Sequence, residues 1–154
     1  MGVPDLLRGC PLFYELYDKE IEKVVNRCEV FELTEGEFVI KDGEEGDQIF
    51  VVLDGTLMVQ KDTPGGLIEI QPLKSGDVFG EMVLVGEKIR SADVVAKEKS
   101  HLIEISYENI FKLYKSEPKI FGLMILNLSR LLSNRLKASN QIIVNLQNQL
   151  GLTA

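Results

Sequence analysis

Phe79-Gly80-Glu81-Met82-Val83-Leu84 and, nine residues after its Glu, Arg90-Ser91-Ala92 form the stretch on which the reading of this chain turns. It sets one carboxylate and one guanidinium at the two ends of a short, glycine-marked loop between strand-like segments. A glycine lets the backbone come close to a ligand. Amides at the start of a short helix, or in a nest, point their positive ends at an anion. An Arg forks onto two oxygens of a phosphate, and a carboxylate accepts hydrogen bonds from hydroxyls. One Arg, one Glu and a ring of amides therefore suit a small molecule with a single phosphate and a free sugar hydroxyl. The competing reading is an ion pair between Glu81 and Arg90 that merely closes a surface loop.

The surroundings are β-rich. From about Cys28 to Ser106 the chain falls into the short runs Glu29–Leu33, Phe38–Lys41, Gln48–Leu53, Thr56–Lys61, Leu67–Leu73, Ala92–Lys97 and His101–Ile105, which predict strands. Glu35-Gly36, Asp42-Gly43, Asp54-Gly55, Pro64-Gly65-Gly66 and Ser75-Gly76-Asp77 supply turns between them. Many short strands at this spacing suit a jelly roll or a small barrel. Both flanks are helical in pattern. Leu6, Leu7, Leu12, Leu16, Ile21, Val24 and Val25 fall at amphipathic intervals within residues 1–27, interrupted by Pro11. Helix returns from Tyr107, with a further start predicted at Pro118 after Ser116-Glu117.

In this order the landmarks resemble the cyclic-nucleotide-binding domain family, in its catabolite-activator-like and protein kinase A regulatory-subunit-like forms. Residues 79–92 are similar to the family's phosphate-binding cassette, roughly Phe-Gly-Glu-Leu-Ala-Leu, a variable loop, then Arg-Ser/Thr/Ala-Ala. Pro11-Leu12-Phe13 resembles the family's opening, Gly43 to Val52 with Asp54-Gly55 its central hairpin, and Ser75-Gly76-Asp77 the approach to the cassette. The resemblance covers about Leu6 to Leu136. It implies an α+β fold, a β-roll (double-stranded jelly roll) flanked by N-terminal helices and a long C-terminal helix. It also implies one domain over residues 1–154, with a helical segment at 1–27, the roll at 28–106 and C-terminal helices at 107–154. The implied ligand is a cyclic nucleotide, cAMP ahead of cGMP, held by a signalling module that is not an enzyme and uses no metal.

The site implied by the resemblance comprises Phe79, Gly80, Glu81, Met82, Val83, Arg90, Ser91, Ala92, Ser139 and Asn140. Glu81 is expected to accept the ribose 2′-hydroxyl and Arg90 to pair with the cyclic phosphate, helped by the Ser91 hydroxyl and the Met82 and Val83 amides. Gly80 serves backbone geometry. Without ligand, Arg90 is expected to stand unpaired in the roll. Met82 replaces the common Leu at similar volume. Val83 departs from the family's Ala or Gly with a stiff β-branched side chain. If its methyls point inward, binding survives. If they point to the pocket, the chain is a scaffold or protein-interaction domain that retains the fold without the ligand. Aligning Arg135-Leu136 with the corresponding pair of the bacterial activators places Ser139 and Asn140 at the base, given a four-residue insertion earlier in the helix. A polar register-setting residue in a coiled coil explains Ser139 equally well. Ile110, Leu113 and Tyr114 suit either the family's mobile hinge contact or plain core.

The last predicted helix carries a seam, Leu128, Leu132, Leu136, Ser139, Ile143, Leu146 and Leu150, spaced by three or four residues as in a coiled coil. A helix from Pro118 to Leu150 would be about 50 Å long, more than one small domain can cover. A homodimer through this helix is the simplest way to bury the far end. Net charge is −7, unevenly placed: the first 117 residues hold 13 Lys+Arg against all 24 Asp+Glu, and the last 37 hold four cations and no acid. An acidic body repels polyanions. Only four residues follow Leu150, so no DNA-reading helix-turn-helix is expected and regulation would pass through an effector protein. No signal-peptide pattern or membrane-length apolar run is present, and a cytoplasmic location is the expectation. Cys10 and Cys28 read as free thiols. His101, the single histidine, reads as a core-edge residue of a strand.

Overall fold

The computed structural model describes residues 2–152. Eight strands make two four-stranded antiparallel sheets: β1 (Glu29–Leu33), β2 (Phe38–Ile40), β3 (Gln48–Asp54), β4 (Leu57–Thr63), β5 (Gly66–Leu73), β6 (Val78–Phe79), β7 (Asp93–Ala96) and β8 (Ser100–Ser106). One sheet runs β1-β8-β3-β6 and the other β2-β7-β4-β5. The α+β roll expected from the sequence is therefore the architecture found. The addition is β6, a two-residue strand pairing Phe50 with Phe79 and Val51 with Val78.

The apolar run of β3 has a physical reason. Successive side chains of a strand point to opposite faces, and both faces of this sheet are covered. Phe50 and Val52 join Leu33, Ile40, Leu57 and Leu102 inside the roll. Ile49, Val51 and Leu53 join Ile103, Ile105 and the helices on the other side. Phe50 stacks on Phe79 at 5.0 Å between ring centroids, which anchors the strand leading into the cassette.

The helices are α1 (Val3–Leu7), a 3-10 turn at Pro11–Phe13, α2 (Asp18–Val25), α3 (Tyr107–Ser116) and α4 (Pro118–Gln149). Ser106 caps α3 by accepting from the Asn109 amide at 3.2 Å. Pro118 opens α4, where its missing N–H costs nothing. The first half of α4 buries Ile120, Met124, Asn127 and Leu128. From Leu136 to Leu150 every residue is exposed. Among the described residues no helix is long and apolar enough to cross a membrane.

His101 is a correction to the sequence reading. It is half-buried on the central strand β8 and ties both neighbours: Nδ1 lies 2.8 Å from Asp54 of β3, and Nε2 lies 3.0 Å from Glu32 of β1. Cys10 and Cys28 are free thiols.

Candidate functional site

Arg90 is positioned by backbone pairing. The turn at Gly43–Gly46 zips onto residues 88–90: Gly43 N donates to Arg90 O (2.8 Å), Arg90 N to Glu44 O (2.8 Å) and Gly46 N to Lys88 O (2.9 Å). The guanidinium then lies across Gly46. A Cβ on Gly46 would sit 2.6 Å from Nη2 and 2.7 Å from Nε, so only glycine leaves the space. Nη2 donates to Gln48 O at 2.9 Å, and Nη1 to Gly80 O at 3.3 Å. Cζ stands 5.9 Å from the Phe50 ring centroid. The expectation of an Arg90 without a partner is thus qualified: two carbonyls hold it in place, and what it lacks among the described residues is a counter-charge.

Carbonyls orient a guanidinium but do not neutralise it. Arg90 is only 9% exposed, and among the described residues no carboxylate forms an ion pair with it. Burial pulls its pKa down from the ordinary arginine value, while Asp47 and Glu81 oppose this through space. The side chain still remains charged near neutrality.

The cassette follows Gly80, whose φ of +78° is a conformation that L side chains rarely adopt. Glu81–Val85 then form a 3-10 helix, closed by Gly86 at φ +92°. The first amides of a helix have no intrahelical partner. Val83 is 2% exposed and packs in the apolar core between the roll and the helices. Its methyls therefore point inward, the case in which the pocket stays open. Glu81 does not pair with Arg90. Its Oε1 accepts from Arg135 Nη1 at 3.3 Å, and Arg135 Nη2 also donates to the Val78 carbonyl.

These groups border one cavity of about 190 Å³. Phe79, Gly80, Glu81, Met82, Arg90, Ser91 and Ala92 all line it, joined by Val59 of β4, Gln71 of β5 and Arg135 of α4. Val83 is not part of the lining, and Ser139 and Asn140 lie exposed on α4 about one turn beyond Arg135, also outside it. Ile110 and Leu113 are core, whereas Tyr114 is exposed and stacks on Phe111. Sequence reasoning used Arg135 only as an alignment marker. The signal it passed over is a cation beside the apolar seam in a helix that carries little other charge.

The cavity has a basic floor at Arg90, an acidic wall at Glu81 and apolar sides, so it can hold an anion bearing a hydroxyl beside a flat apolar group. Residues 30–117 match the family model described as "Cyclic nucleotide-binding domain". The chain is 37% identical over 90 residues to a cAMP-dependent protein kinase regulatory subunit of Mycosarcoma maydis, covering 58% of this chain and 17% of that one. It is 31% identical over 96 residues to human cGMP-dependent protein kinase 2, covering 61% and 13%. The chain therefore spans less than a fifth of the length of these curated relatives. Among solved structures, PKAR CBD2 bound to Sp-2Cl-cAMPS is similar at a TM-score of 0.70 and 27% identity, over 99% of this chain and 91% of that one.

Proposed function

The chain belongs to the cyclic nucleotide-binding domain family, and on that premise we propose that it is a cyclic-nucleotide sensor, taking cAMP ahead of cGMP, whose output is a repacking of its C-terminal helices. The observation that carries this reading is Arg90: a buried guanidinium with two carbonyl partners, no ion-paired acid among the described residues and a cavity in front of it. A cyclic phosphate supplies the missing counter-charge through a charge-assisted, forked contact. Glu81 takes the ribose 2′-hydroxyl on the oxygen that Arg135 leaves free. The first-turn amides of the cassette add donors to the phosphate.

Ser91, with Ser139 and Asn140 one turn beyond the cavity on α4, favours adenine over guanine. Two such helices side by side in a homodimer also bury the exposed seam of α4. Signalling is then a population shift. Phosphate capture tightens the cassette, the packing around Val83 and Arg135 follows, and the change passes through α3 and α4 to an effector protein. The shift is limited by the ligand's differential affinity for the two states.

A thermal-shift titration with cAMP and cGMP tests this, with Arg90→Glu as control. Ligand at a hundred times its Kd adds about 2.7 kcal/mol, a rise of roughly 5–10 °C in Tm for a domain this size. The expected result is a rise in wild type, larger for cAMP at equal concentration, and none in the variant. No rise with either nucleotide at millimolar concentration overturns the sensor reading.

A further inference from the structure

Two of the polar contacts that α4 makes to the rest of the fold sit on one rigid rod, about two turns apart. The second is Arg135 on Glu81. The first is Asn127, which interrupts the apolar run of the helix and is nonetheless 2% exposed. Both hydrogens of its amide are used: Nδ2 donates to Leu12 O at 3.1 Å and to Tyr14 O at 2.8 Å. Its Oδ1 accepts from Arg130 Nη1 at 3.0 Å, and the same Nη1 reaches Glu15 at 3.4 Å. Glu15 has φ +69°, the one non-glycine residue with positive φ among those described. A buried amide with both donors and its oxygen engaged, gripping a segment with a sparsely populated backbone conformation, fixes a geometry that apolar contact alone would leave free to slide.

We propose that Asn127 is a positioning residue for the ligand site: its amide pins α4 to the segment at residues 12–15 and thereby holds Arg135 against Glu81. The two residues are eight apart on an unbroken helix, about 12 Å along its axis. Over that length the helix does not flex by itself, so a slide at one contact is felt at the other. Arg135 holds the Glu81 carboxylate turned to the cavity, ready for a hydroxyl. Loosening Asn127 lets Arg135 drift and degrades that preorganisation. This inference rests on the reading of Glu81 and Arg90 as ligand groups.

The experiment combines hydrogen exchange of the ligand-free protein with cAMP titration, on wild type, Asn127→Leu, Arg135→Ala and the double variant. Asn127→Leu is expected to speed exchange at the Gly86 and Glu87 amides, which donate to Val83 O and Met82 O in the cassette. Arg135→Ala is expected to speed exchange at the Tyr14 and Leu16 amides, far from its own contacts. Each single variant should weaken cAMP binding roughly 2- to 30-fold, and the double variant no more than the worse single one. Should Asn127→Leu fail to fold, Arg130→Met, which removes the bond to Asn127 Oδ1 at an exposed position, takes its place. Exchange changes confined to each variant's own contacts, or additive losses of affinity, overturn the proposal. A purely structural Asn127 would lower Tm without coupling to Arg135. Wild type that binds neither cAMP nor cGMP, with the exchange coupling intact, sinks the sensor reading and leaves the mechanical link standing.

Discussion

At Gly46 a missing side chain makes room for another residue's charge. The Arg90 guanidinium lies where a Cβ would be, within 2.6–2.9 Å of it, while the Gly46 φ lies outside the left-handed region. Gly46→Ala therefore leaves the backbone unstrained and evicts Arg90. The expected cost is about 1–3 kcal/mol of stability from overpacking. Loss of the charge-assisted contacts also weakens cAMP binding by about tenfold or more, measured by calorimetric titration. Gly36→Ala is the informative control, since φ +87° there strains an alanine with open space around it. It should destabilise without touching affinity. The residue types of the site were legible in the sequence: Glu81 and Arg90 stand in one contiguous motif with the right chemistry. Gly46 was not, because its role is a contact with a residue 44 positions away, and no local pattern encodes that.

At the scale of elements, His101 joins three strands with one ring. An imidazole that donates to a carboxylate from each nitrogen must be protonated, because the neutral ring has only one N–H. Its pKa is raised, first by the hydrogen bond to Asp54, against a smaller opposing effect of desolvation, with Glu32 adding to the rise. Lys99 also reaches Glu32, at 3.2 Å, and holds that carboxylate below its usual range. A raised folded-state pKa means the contribution is fully present below about pH 6.5, the ordinary histidine value, and is lost as pH rises through the folded value. Tm should accordingly decline as pH climbs above that point. His101→Gln should flatten this segment of the profile, and an unchanged slope in the variant would remove the histidine from the account. Sequence periodicity placed the strand correctly but misread its histidine, since cross-strand partners depend on register. β6 escaped for a related reason: a two-residue pairing is shorter than any window over which alternation can be recognised.

For the whole molecule, the apolar surface that asks for a cover is the distal half of α4. Leu136, Ile143, Leu146 and Leu150 are each more than half exposed on a seam of alternating three- and four-residue spacing. Ile143 and Leu146 occupy the two seam positions in the β-branched and γ-branched arrangement that favours two parallel strands. Sedimentation of wild type should report a dimer, and Leu146→Glu a folded monomer with unchanged far-UV circular dichroism. A monomeric wild type would assign the seam to a different partner. The helix start at Pro118 and the seam were readable from composition and spacing. The anchoring of the helix was not, because Asn127 looks like a breaker in an apolar run until its carbonyl partners from residues 12 and 14 are seen. That anchoring makes α4 a lever with its fulcrum inside the domain and its free arm outside. Arg135 stands about 12 Å from Asn127 and Gln149 about 33 Å, so a tilt of about 5° at the fulcrum, which moves Arg135 by about 1 Å, sweeps the tip through roughly 3 Å. A change of an ångström or less at the cassette would thus arrive at the far end as a displacement large enough for a second protein to read.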